Sequence, residues 1–125
     1  MKKAGGFTLI ELLVVLAIIA TLLTIAAPRY FVSLERAREA ALRQTLFVMR
    51  DAIDKYHGDT GRYPASLEAL VDKRYLRKLP PDPLTESADT WIALPPPPGA
   101  ADGGVYDVKS GAPGVGADGS AYADW

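Results

Sequence analysis

From Phe7 to Ala27 the chain is apolar almost without interruption, and one carboxylate, Glu11, sits inside the run. The run is about 21 residues long, close to the ~20 an α-helix needs to cross a hydrocarbon layer. It carries no charge from Leu12 to Ala27, as expected of a helix in lipid or at the centre of a helical bundle. A carboxylate in such a helix costs roughly 2.5–3.5 kcal/mol on insertion scales, so it normally has a partner and a use. Ahead of the run stand Lys2, Lys3 and the pair Gly5-Gly6. The two lysines favour a cytoplasmic N-terminus, although Arg29, Arg36 and Arg38 follow the span. An ordinary cleaved signal peptide puts its small-residue cut site after the apolar core, whereas the Gly-Gly step precedes it here. A simple uncleaved anchor fits the composition but leaves Glu11 without a role.

The remainder has room for one modest domain in a chain of 125 residues. A formal net charge of −1 gives no polybasic surface, and no nucleic-acid partner is expected. There is no cysteine and hence no disulfide. Glycine and proline crowd after His57, and a stretch of roughly 65 residues rich in both makes a marginal core alone. Domains of this kind rely on a metal, a partner or docking onto a helix. His57 is the single histidine, so zinc sites and histidine-based triads lack material, and it reads as a surface residue near a helix C-terminus. The glycines from Gly99 to Gly119 have neither P-loop spacing nor a following helix. The chain reads as a non-enzyme.

Beyond Pro28, which kinks or ends a helix, Leu42, Leu46, Met49, Ile53 and Tyr56 recur at steps of three or four. Glu39 with Arg43, and Asp51 with Lys55, form acid-before-base pairs on the wet side. The pattern predicts a kinked helix from Phe7 to about Tyr56, roughly 75 Å long at the usual rise. Gly58-Asp59-Thr60-Gly61 supplies the turn that ends it. Ser66 reads as the N-cap of a short helix from Leu67 to about Val71. Leu79 to Pro83 reads as an extended or turning linker. Strands are expected at Thr90–Leu94 and Val105–Val108, separated by the polyproline spacer Pro95–Pro98 and a glycine-rich loop. Ser110 to Trp125 reads as a loop-like tail that Tyr122 and Trp125 pin to the sheet.

The segment Gly6-Phe7-Thr8-Leu9-Ile10-Glu11-Leu12 resembles the class III signal of the type IV pilin superfamily, shared by pilins and the pseudopilins of type II secretion. The likeness lies in a short basic leader ending in glycine, then phenylalanine, then a glutamate as the fifth residue after the cut. It implies cleavage between Gly6 and Phe7 by an inner-membrane prepilin peptidase and N-methylation of Phe7. It also implies extraction of the helix from the bilayer into a helical fibre. Cleavage would leave a positive amine on Phe7, and a buried carboxylate needs a cation. The resemblance gives Glu11 and Phe7 the assembly role, the amine coming from a neighbouring subunit. A glutamate that snorkels or stays protonated is the other reading.

Further along, Asp51 to Tyr56, Asp59-x-Gly61-x-Tyr63-Pro64, Leu67 to Leu70, Tyr75-Leu76 and Leu79-Pro80-x-Asp82-Pro83 are similar to the major pseudopilin (protein G-like) family of type II secretion. So is the end, from Tyr106-Asp107-Val108 through Ser110 and Asp118-Gly119 to Asp124-Trp125. Leu84 follows Asp82-Pro83 where that family carries an aromatic, and the segment before Tyr75 is short. The family's C-terminal loop binds calcium, which takes oxygen ligands. On that resemblance Asp107, Ser110, Asp118 and Asp124 are the candidate ligands, and turn and capping duty is the other reading. The implied fold is α+β and pilin-like, a long N-terminal helix packed on a small antiparallel sheet. The organisation read is a cleaved leader (residues 1–6), a membrane or fibre-core helix (7–27), an amphipathic half (28–57) and a small periplasmic domain (58–125). The implied function is a pseudopilin subunit of a secretion pseudopilus. Its partners would be further copies of itself, minor pseudopilins, the inner-membrane assembly platform and the prepilin peptidase. The place would be the bacterial inner membrane, with the C-terminal domain in the periplasm. Two alternatives stay open: a pilin or minor pilin of a type IV pilus, and a membrane-anchored binding module that never polymerises.

Overall fold

A computed structural model describes residues 5–100 and 103–125. The expected leader lysines, Lys2 and Lys3, and part of the glycine-rich loop lie outside the described residues. The chain divides into two compact units, Met1–Glu35 and Arg36–Trp125.

Helix α1 runs from Leu9 to Thr60, so it starts two residues later than expected and ends four residues later. Pro28 lies inside α1 without ending it. Nearby, the Thr21 hydroxyl donates to the Ala17 carbonyl at 2.8 Å and the Thr24 hydroxyl to the Thr21 carbonyl at 2.6 Å. Polar side chains within the apolar span are thus satisfied by their own helix, as an anhydrous setting requires. That span has an 18-residue window of mean hydropathy 2.8, none of it buried, and is long and apolar enough to cross a membrane. At the far end Gly58 stays helical; Gly61 stops the helix, with a φ of 74° and its amide donating to the His57 carbonyl at 2.8 Å. His57 is half-buried and stacks on Tyr63, ring centres 4.2 Å apart.

The second unit is organised by one stripe of α1. Leu42, Leu46, Met49 and Ile53 are all buried, with Ala52 beside them. Against them pack Leu67 and Leu70 of α2 (Leu67–Asp72), then Leu76, Trp91, Val105 and Val108. Each full burial of a large aliphatic side chain contributes about 1.5–3 kcal/mol, so this stripe is the main source of stability. Helix α2 begins where expected: the Ser66 hydroxyl accepts from the Ala69 amide at 3.3 Å.

The sheet is a two-stranded antiparallel pair, β1 (Ile92–Leu94) and β2 (Asp107–Lys109), with Ala93 opposite Val108. Both strands are shorter than expected, for visible reasons. The Thr90 hydroxyl is engaged with Thr85 at 2.7 Å, and the Trp91 indole N–H donates to the Pro80 carbonyl at 2.7 Å. The Val105 amide donates to Pro64, not to β1. The segment Leu79–Pro83 is extended and then turns, as expected, but it is packed into the domain and is not a free linker. Asp82 is fully buried; its carboxylate accepts from the Leu84 amide at 2.8 Å and from the Ser110 hydroxyl.

Candidate functional site

The N-terminal segment comes first. Gly5 to Thr8 carry no helical structure, and Phe7 is exposed. The Gly6–Phe7 peptide bond is therefore free of helical hydrogen bonding, and there is open space around both glycines. Thr8 and Glu11 form a reciprocal cap. The Glu11 amide donates to the Thr8 hydroxyl at 3.2 Å, and the Thr8 amide donates to a Glu11 carboxylate oxygen at 3.4 Å. This is a capping box, which satisfies two of the amides that a helix leaves open at its start. Reading the sequence for charge alone missed it, although Thr8-x-x-Glu11 ahead of an apolar run is its signature. A carboxylate in the first turn also meets the positive end of the helix dipole.

The cap's longer bond is weak, whereas a bond from an ammonium to a carboxylate is about twice as strong as a neutral one. An amine at Phe7, with an ordinary pKa near ~7.7–8.0, would be largely charged at neutral pH. Glu11 is held at the helix start by a long bond from the Thr8 amide.

The C-terminal segment is built differently from the metal loop that the sequence suggested. Asp107 binds the guanidinium of Arg50, with Nε to Oδ1 at 2.8 Å, and also accepts from the Val108 amide. Ser110 is fully buried, donates to Asp82 and accepts from the Ala112 amide at 3.1 Å. Asp118 accepts from the amide and hydroxyl of Ser120 and lies 3.6 Å from Arg43. Asp124 gives its backbone carbonyl to the Lys109 ammonium at 3.0 Å. Among the described residues no three histidine, cysteine or acidic side chains converge to hold a metal. Of the four candidates, Asp107 already faces a cation and Ser110 is tied into the buried Asp82 pair, while Asp118 and Asp124 are exposed.

The tail is pinned to the sheet through Tyr122 and Trp125 on the core beside Val108 and through Lys109 of β2, and it is docked on α1 as well. Glu39 accepts from the Ala117 amide at 2.9 Å and the Tyr122 hydroxyl at 3.0 Å. Arg43 lies over the Trp125 ring, 4.2 Å from its centre. Glu39 and Arg43, expected to pair with each other on the wet face, instead turn to the tail; Asp51 and Lys55 do pair, at 2.8 Å. An open groove of about 580 Å³ runs beside this contact, lined by Arg43, Phe47, Arg50, Asp54, Asp118 and Trp125 among others.

Hydrogen bonds from the Ser120 hydroxyl and amide, with Arg43 nearby, hold the Asp118 carboxyl below the usual carboxylate range. The folded state thus favours the anion. Its contribution is complete above the unfolded value near ~3.9 and is lost as pH falls through the lower folded value. A melting series from neutral to acid should show Asp118→Asn with the shallower acid limb. Because the carboxylate is exposed, the difference should be small and should shrink further in salt.

The residues match the model of the prokaryotic N-terminal methylation motif over positions 1–27. The chain is 31% identical over 99 residues to the type II secretion system core protein G of Klebsiella pneumoniae, covering 66% of this chain and 71% of that one. It is 32% identical over 98 residues to the core protein G of Vibrio cholerae, 66% and 67% of the two chains. With the core protein G of Escherichia coli K12 the identity is 28% over 127 aligned residues, 89% of this chain and 83% of that one. No solved structure matches. The motif at the helix start, the long helix carrying a small antiparallel pair, and this degree of likeness agree: the chain belongs to the type II secretion system core protein G family.

Proposed function

We propose that this chain is a structural subunit of a secretion pseudopilus, a helical fibre that grows from the inner membrane and helps export folded proteins. The observation that carries the reading is the Thr8–Glu11 cap beside an open Gly6–Phe7 bond at the head of a fully exposed apolar helix. Cleavage at that bond would create an amine next to a weakly held carboxylate. In the membrane the apolar face would meet lipid, and in the fibre it would meet the same face of other subunits. The bilayer would then be a store and the fibre the destination. Phe7 and Glu11 would pair between subunits, so that the charge that is costly in lipid is neutralised only on assembly. Residues 36–125 would form the fibre's outer surface in the periplasm.

Deletion of the gene tests the reading with two measurements in one strain. Secreted enzymes should accumulate in the periplasm while surface pili and twitching persist. Loss of pili with normal secretion would instead assign the chain to a type IV pilus.

A further inference from the structure

Three oxygens that a hard cation would accept converge on one side chain. Arg50 donates from Nε to the Asp107 carboxylate at 2.8 Å. One of its terminal nitrogens donates to the Val108 carbonyl at 3.0 Å and to the main-chain oxygen of Trp125 at 2.6 Å. We propose that the Arg50 guanidinium, not a bound divalent cation, closes the C-terminal segment onto α1, so that the fold of this domain is independent of calcium.

Carboxylate and carbonyl oxygens are the donor class that calcium takes. A guanidinium meets the same need with a fixed planar fork of N–H donors and a charge that it never loses. Asp107 and Arg50 are both partly shielded, with side chains 27% and 33% exposed, so the pair is less screened than a fully exposed ion pair. A divalent ion at Asp107 would have to displace Arg50 and would leave the two cations facing each other.

The surroundings are shaped for the same closure. Arg43, two turns before Arg50 on α1, covers the Trp125 indole, whose N–H donates to the Ser120 hydroxyl at 2.6 Å. The indole also lies where a side chain on Gly116 would have to go. Glu39 takes the Ala117 amide and the Tyr122 hydroxyl. One polar edge of α1, Glu39, Arg43 and Arg50, thus holds β2 and the last residues together. For the function proposed above, and resting on it, subunits would remain assembly-competent whatever the calcium level of their compartment.

The test is thermal melting of the full chain in detergent, first with a chelator and then with millimolar calcium. The two midpoints should agree to within about 1 °C, since a shift of ~4–8 °C corresponds to only about 1 kcal/mol in a domain of this size. Arg50→Ala should melt lower by about 8 °C or more, with faster proteolytic release of the C-terminal segment. Arg50→Lys, which keeps the charge but not the fork, should fall between. If Arg50→Ala does not fold, Arg50→Lys and Asp107→Asn decide, both expected to melt below the parent and neither to respond to calcium. A parent whose midpoint falls on chelation and recovers with calcium overturns the proposal. So do Arg50 and Asp107 variants that melt like the parent. Melting is read without polymerisation, so a failure here is separate from a failure of the pseudopilus reading.

Discussion

Glu11→Gln should leave cleavage at Gly6–Phe7 intact and abolish incorporation into fibres. Glutamine can keep the reciprocal cap with Thr8, because Gln serves in a capping box as Glu does. The substitution therefore removes the charge and spares the helix start. In an apolar fibre core, breaking a buried ion pair by removing one partner costs about 3–5 kcal/mol. At about 1.4 kcal/mol per factor of ten, incorporation should fall at least a hundredfold. The readouts are the mobility of the processed chain and the yield of sheared fibres. Glu11→Ala, which also loses the cap, should do no worse in assembly than Glu11→Gln. If Glu11→Gln assembles normally and Glu11→Ala does not, the residue acts as a cap and the intersubunit pair is wrong.

The second large effect is expected at the α1 stripe. Leu46 is 1% exposed and sits in the core beside Leu42, Met49 and Ile53, while its neighbour Phe47 is 66% exposed. Leu46→Ala should destabilise the domain by about 2–5 kcal/mol through lost transfer energy and a residual cavity. Total stabilities of natural domains are about 5–15 kcal/mol, so the variant should be largely degraded in cells. Phe47→Ala, although it deletes a larger group, should change stability by about 0.5 kcal/mol or less, as surface substitutions do. Urea unfolding of the two variants is the comparison. Equal losses would mean that Phe47 is packed as tightly as Leu46 and that the buried stripe is misplaced.

These two residues also show what could be read from the chain. The stripe from Leu42 to Ile53 was legible because burial on a helix repeats at a fixed period, and Ser66 because an N-cap is a local device. The apolar span and its single acid were legible for the same local reason. Arg50 was not, since its partners lie 57, 58 and 75 residues away and nothing in its own neighbourhood marks it. Asp82 reads as a turn residue beside Pro83, and only the fold buries it against Ser110. The strands were overestimated because β-prone residues were diverted by tertiary partners: Trp91 to Pro80 and Val105 to Pro64. The Thr8–Glu11 cap was legible and missed, because the unusual charge drew the reading toward a partner outside the chain.

That partner remains the centre of the account, and it exists only after processing. The direct measurement is the intact mass and N-terminal fragment spectrum of the chain recovered from assembled fibres. The expected result is a chain that begins at Phe7 and carries one methyl group on its α-amine. Fibres built from chains that still begin at Met1, with no free amine at Phe7 to meet Glu11, would contradict it.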